Sequence, residues 1–233
     1  MSANREEFAY CSDTLNLTKT KSETKQIFKA KHIYSKYVKR ILDVVLSTTG
    51  LIILFPVFVI IAILIKIDSR GSVFFKHKRI GKNGKEIYIY KFRTMVENAE
   101  ELIKQFTPEQ QKEYKSNFKL ENDPRITKLG KFLRKSSLDE LPQLLNILKG
   151  DLSIIGPRPI ITEELEKYGI NKTKFLSVTP GLTGYWASNG RSTTTYEQRM
   201  KMELYYVDNI SFKLDVKIFF KTVLSVIKRE GAI

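Results

Sequence analysis

Two adjacent carboxylates, Asp139 and Glu140, sit in the run Arg134-Lys135-Ser136-Ser137-Leu138-Asp139-Glu140-Leu141-Pro142-Gln143. Acids next to cations can bind a divalent cation and phosphates at a helix N-terminus. One of them can also attack phosphorus, as aspartyl-phosphate enzymes do. The same letters have a purely structural reading. Pro142 is tolerated only near a helix start, so a helix is predicted over residues 138–149, stopped by Gly150. Ser137-x-x-Glu140 then matches a capping box, and acids in a first turn are favoured by the helix dipole. Arg158, in Gly156-Pro157-Arg158-Pro159, is a cation on a loop stiffened by prolines, suited to bidentate phosphate binding or to a loop-closing salt bridge. Gly190-Arg191-Ser192 is a further anion site or surface charge. His77 reads as a solvated hairpin residue, and Tyr185 and Trp186 as packing or interface residues.

Around these groups the chain has 233 residues and an excess of 40 Lys+Arg over 25 Asp+Glu, a formal charge of +15. Such a balance calls for an anionic partner: nucleic acid, a membrane surface or a phosphate-rich substrate. One cysteine, Cys11, excludes a disulfide framework, and two histidines leave little for a transition-metal centre. Residues 44–65 carry no charge at all. As a helix these 22 residues reach roughly 33 Å, about the hydrocarbon thickness of a bilayer. Basic residues flank the run on both sides: Lys36, Lys39 and Arg40 before it, Lys66, Arg70, Lys76, Lys78 and Arg79 after it. A true span exports one basic flank. A helix broken at Pro56 that enters one leaflet and returns keeps both inside, although spanning helices tolerate Pro as well.

The expected division is a polar tail (1–35) read as mobile, a membrane-inserted helical segment (36–70) and a domain (71–233) that carries the dyad. Asn83-Gly84 between β-rich runs predicts a small hairpin. Thr107-Pro108-Glu109-Gln110 opens a helix with its own capping box, residues 95–106 read as helical, and a basic helix is expected over 126–135. At the C-terminus Val216, Phe219, Phe220, Val223, Leu224 and Ile227 repeat at helical spacing opposite Lys213, Lys217, Lys221 and Lys228. That pattern serves an interfacial helix on anionic lipid or a core-facing surface helix. The expected fold class is α+β, mainly helical, with a membrane-inserted apolar helix, a small β-hairpin and amphipathic interfacial helices.

The order of these motifs, from the apolar run with its central Pro through Lys91-Phe92-Arg93-Thr94-Met95, Leu138-Asp139-Glu140-Leu141-Pro142-Gln143, Lys149-Gly150-Asp151-Leu152-Ser153 and Gly156-Pro157-Arg158-Pro159 to Pro180-Gly181-Leu182-Thr183-Gly184, resembles the bacterial sugar transferases, the monotopic polyprenyl-phosphate phosphoglycosyl transferases. The match runs from about Lys36 to the C-terminus and is to the compact members. The resemblance implies that Asp139 attacks the β-phosphorus of a UDP-sugar, releasing UMP, and that a polyprenyl phosphate such as undecaprenyl phosphate then takes the phosphosugar. It implies Glu140 as the partner carboxylate for Mg²⁺ and acceptor deprotonation, Arg134, Arg158 and Arg191 as phosphate-handling residues, and a re-entrant helix broken at Pro56. It also implies a place at the cytoplasmic face of the bacterial inner membrane, in capsule, exopolysaccharide or other glycoconjugate synthesis, and leaves room for a homo-oligomer. His77 and Ala187-Ser188-Asn189 depart from the usual Gln-containing pattern. A membrane-bound nucleic-acid-binding module and a non-catalytic scaffold are the competing classes. Against nucleic acid, the chain has no zinc-finger spacing or RNP motif, and much of its charge lies beside the apolar run.

Overall fold

In the computed structural model, residues 33–117, 120, 123–190 and 194–228 are described. Most of the expected tail, residues 1–32, lies outside them, as does Arg191. A π-helical turn, Tyr34–Val38, leads into α1, Lys39–Asp68. Residues on both sides of Pro56 are helical, and its missing N–H leaves one gap in the hydrogen-bond ladder. Among the described residues α1 is the one helix long and apolar enough to cross a membrane. Most of its apolar side chains, Ile52, Ile53, Phe55, Ile60 and Ile63 among them, are exposed.

Both ends of α1 are nonetheless tied to the same body. Arg40 donates to the carbonyls of Ile147 and Leu148 at 2.5 and 2.7 Å, in the last turn of a helix. Buried Asp43 accepts from the Ser153 hydroxyl and the Ile154 N–H at 3.0 and 2.9 Å. Asp215, also buried, accepts from Tyr34, Lys39 and Tyr206. At the far end Ile61 and Ile65 pack with Phe92 and Leu133, and the Arg93 guanidinium caps the carbonyls of Ser69 and Arg70.

The hairpin forms as expected. β1, Phe74–Ile80, pairs antiparallel with β2, Glu86–Phe92, in register Phe74↔Phe92 to Ile80↔Glu86. Its turn needs positive φ at Asn83 (57°) and Gly84 (77°), which is why that dipeptide is there. The predicted helix over 95–106 is reduced to single turns at Ala99–Leu102 and Ile103–Gln105. α2, Pro108–Asn117, starts with the Thr107–Gln110 capping box, both bonds made. α3, Lys128–Lys135, is capped by Thr127.

Next come α4, Gln143–Lys149, β3, Ser153–Ile155, and β4, Gly181–Thr183, which pairs parallel with β3. Gly150 ends α4 at φ 86°. Asn146 of α4 is fully buried and acts as a surrogate strand for β2, accepting from the Tyr90 N–H and donating to the Tyr88 carbonyl. α5, Tyr196–Asn209, and α6, Phe212–Lys228, close the chain. In α6 the core-facing side is Asp215 and Ile218, whereas Phe212, Val216, Phe219, Phe220, Val223 and Leu224 are exposed. From Val216 to Leu224 the apolar stripe read from the sequence therefore faces outward, not into the core.

Candidate active site

The dyad does not begin a helix. Leu138–Glu140 is a separate 3₁₀ turn, and α4 starts only at Gln143. Ser137 takes φ 57°, and its side chain makes no cap bond, so the expected capping box is absent. With the backbone left-handed at Ser137, Glu140 is released from a capping role and turns to Lys91, whose Nζ donates to its Oε1 at 2.6 Å. The same Nζ lies 3.9 Å from Asp139 Oδ2. Asp139 is buried, which pushes its carboxyl up to about 6 against the pull of the Lys91 charge. At pH 7 it is largely ionised.

Arg134, on α3, lies near enough for its charge to act on Asp139. Gly130 permits it: a Cβ there would overlap the Thr94 backbone, so only glycine lets α3 lie against the end of β2. The Arg134 Nε then donates to Thr94 Oγ1 at 2.9 Å, and its charge acts on Asp139.

Beside Glu140 of the dyad lies an open cleft. Its walls bring together Lys91, Glu140, Arg79, Arg158, Trp186 and Glu203. The two glycine-proline motifs make one wall by crossing each other. Gly156 N–H donates to the Thr183 carbonyl and Gly181 N–H to the Pro157 carbonyl, both at 2.8 Å. A Cβ on either glycine would strike the other's backbone. That approach, rather than any loop flexibility, explains the glycines. Arg158 is exposed on this loop with its guanidinium 5.8 Å from the Trp186 ring centroid.

His77 corrects its expected role: it is half-buried and lines the cleft. Burial, with the charges of Arg79, Lys91 and Arg158, pulls its imidazole down to about 4, so it is neutral at physiological pH. Trp186 also lines the cleft rather than merely packing, with its indole N–H held by Thr194 at 2.7 Å. Neither Lys91 nor Glu203 was singled out for chemistry in the sequence. Lys91 stood in a quoted motif, while Glu203 carried no signal in an ordinary helical stretch.

A divalent cation fits the donor set in one respect. Among the described residues no three His, Cys, Asp or Glu side chains cluster. Mg²⁺ is commonly held by one or two carboxylates with substrate phosphates, which Asp139 and Glu140 can supply.

The family model described as "Bacterial sugar transferase" matches residues 34–229. The chain belongs to that family. It is 43% identical over 201 residues to an undecaprenyl-phosphate galactose phosphotransferase of Salmonella typhimurium, covering 85% of this chain and 42% of that protein. It is 43% identical over 197 residues to the exopolysaccharide production protein ExoY of Rhizobium meliloti, covering 83% of this chain and 87% of ExoY. A UDP-glucose:undecaprenyl-phosphate glucose-1-phosphate transferase of Escherichia coli is 38% identical over 198 residues, 81% of this chain and 40% of that protein. The chain thus spans about four-tenths of the length of the Salmonella and Escherichia relatives and most of ExoY.

Proposed function

We propose that this sugar transferase moves a sugar-1-phosphate from a UDP-sugar to a polyprenyl phosphate, undecaprenyl phosphate in the first instance, and releases UMP. The observation that carries the reading is the buried Asp139, 3.9 Å from the Lys91 ammonium and under the charge of Arg134, next to Glu140 in the wall of a cleft that Arg79 and Arg158 also line. An Asp139 carboxylate oxygen attacks the β-phosphorus, and the bond to the α-phosphate bridging oxygen breaks, so that UMP leaves as the anion. The polyprenyl phosphate oxygen then attacks the same phosphorus and displaces the Asp139 carboxylate. Lys91 and Arg134 stabilise charge on the phosphoryl oxygens, Arg79 and Arg158 attract the diphosphate, and Glu140 is placed to take the acceptor's proton. Mg²⁺ held at Asp139 and Glu140 with the substrate phosphates would neutralise phosphate charge.

The same reading places the protein in one leaflet at the cytoplasmic face of the inner membrane. Because Arg40 and Asp43 at one end of α1 and Ser69 and Arg70 at the other all bond the body that carries the dyad, a bilayer crossing would put that body on both sides. The outward apolar stripe of α6 with its lysines suits anionic lipid. Family membership offers no support to the nucleic-acid or scaffold readings. The test is UMP release from a panel of UDP-sugars by membrane-solubilised protein with Mg²⁺ and undecaprenyl phosphate. Release with one sugar that vanishes in Asp139→Asn is expected; undiminished release by the variant removes the aspartate intermediate.

A further inference from the structure

Glu203 is an acid in an improbable place. It projects from α5 beneath the cleft, is 1% exposed, and lines the cavity floor. Its Oε1 accepts the backbone N–H of Arg158 at 3.1 Å and so pins the Gly156–Pro159 loop from below. Its Oε2 has no partner. An ionised carboxylate this deeply buried normally finds a cation, yet Arg199, on the same helix, gives its Nη1 to Glu164 Oε1 at 3.1 Å. Arg199 Nε and Nη2 and the Tyr168 hydroxyl are also without partners. The groups that face Glu203 electrostatically are Arg158 from the loop, Arg199 from its own helix, and the Tyr168 and Tyr196 hydroxyls. None neutralises it by contact, and burial pushes its carboxyl up to about 7. The cleft above it holds Arg79, Arg158 and Lys91, cations placed for a diphosphate.

We propose that Glu203 belongs to the donor site: it takes up one proton from solvent when the diphosphate binds, and its Oε2–H donates to a phosphate oxygen while Oε1 keeps Arg158 in place. An ionised Glu203 would repel the diphosphate, whereas the acid adds a donor where the loop cations already point. The inference rests on the UDP-sugar reading above. It extends that reading to a residue far along the chain from the dyad, on α5, and predicts proton-linked donor binding. His77, neutral until about pH 4, does not titrate in the relevant range.

The test is calorimetric binding to the full chain in detergent, with Asp139→Asn as background to stop turnover and remove its titration. The probe is whichever of UDP-glucose, UDP-galactose, UDP-N-acetylglucosamine and UDP-N-acetylgalactosamine the wild-type chain turns over. Heats measured in two buffers of different ionisation enthalpy give the protons taken up. For a group near pH 7 that stays protonated in the complex, affinity falls about tenfold from pH 6 to pH 8, with net proton uptake at pH 7–8. Adding Glu203→Gln should abolish both the uptake and the pH slope while binding persists, because the amide keeps an acceptor for Arg158 and a donor for the cleft. Glu203→Ala, lacking both, should weaken binding at every pH. Proton uptake that survives Glu203→Gln, binding with no uptake in the background variant, or an unaffected Glu203→Ala overturns the role of Glu203 and leaves the UDP-sugar reading standing. Folded wild-type protein that turns over none of the four donors removes that reading first, and the inference with it.

Discussion

Asp139 is held as a buried carboxylate at a cost to stability, and the size of that cost can be checked. Its side chain is 11% exposed and burial lifts the carboxyl from 3.8 to about 6. In an unfolded chain it ionises near 3.8, so between 3.8 and 6 the folded state holds the extra proton, and above 6 the whole penalty is in force. At roughly 1.4 kcal/mol per pH unit, the penalty is about 0.6 kcal/mol at pH 4 and rises to about 3 kcal/mol at pH 8. Asp139→Asn removes the charge and should therefore be more stable than wild type at pH 8 while inactive. An amide that pairs poorly with Lys91 reduces the gain, so about 3 kcal/mol is an upper bound. For a domain of this size the full amount corresponds to roughly 6–12 °C in Tm. The assay is thermal unfolding by circular dichroism in one detergent with excess chelator, at pH 4 to 8. Saturating Mg²⁺ should narrow the gap by neutralising the wild-type carboxylate. A variant no more stable than wild type at pH 8, or a gap that does not shrink towards pH 4, would refute the argument.

Further outcomes are expected elsewhere. Gly181→Ala forces its Cβ into the Gly156 backbone and should cost about 3 kcal/mol or more, with loss of UMP release; a fully active, equally stable variant would show that the loops can part freely. Lys39→Ala strips buried Asp215 of its cation and should destabilise by about 3 kcal/mol, read as a drop in Tm that Asp215→Asn in the same chain partly restores. Excess chelator should stop UMP release, and full turnover in its presence would exclude the cation. In a Cys11→Ser background, single cysteines at positions 36 and 70 should label from the same side of the membrane; opposite-side labelling would make α1 a span.

The dyad was legible because two acids beside two cations is a chemical statement in itself. Its surroundings were not, since the same letters also spell a capping box, and nothing local says that Ser137 takes a left-handed conformation. The hairpin and the α2 cap were readable from Asn83-Gly84 and Thr107–Gln110, where turn and cap chemistry is confined to a few neighbours. Lys91 and Glu203 are site residues only through pairing across 49 and 45 positions, to Glu140 and Arg158, which no local pattern encodes. His77 looked solvated because its neighbours Lys76, Lys78 and Arg79 are charged, yet strand alternation turns it and Arg79 towards the cleft.

The knot at the start of α1 also sets an order of events during synthesis. Tyr34 and Lys39 are bonded to Asp215 across 181 and 176 positions, and Arg40 and Asp43 to residues 107–111 positions later. The apolar helix leaves the ribosome long before any of these partners exists. On the membrane reading proposed above, it reaches the lipid early and waits there, and its final seating is among the last steps of folding. Chains interrupted before Ile147 would carry a greasy helix with nothing to hold its first turn, a form exposed to aggregation and proteolysis.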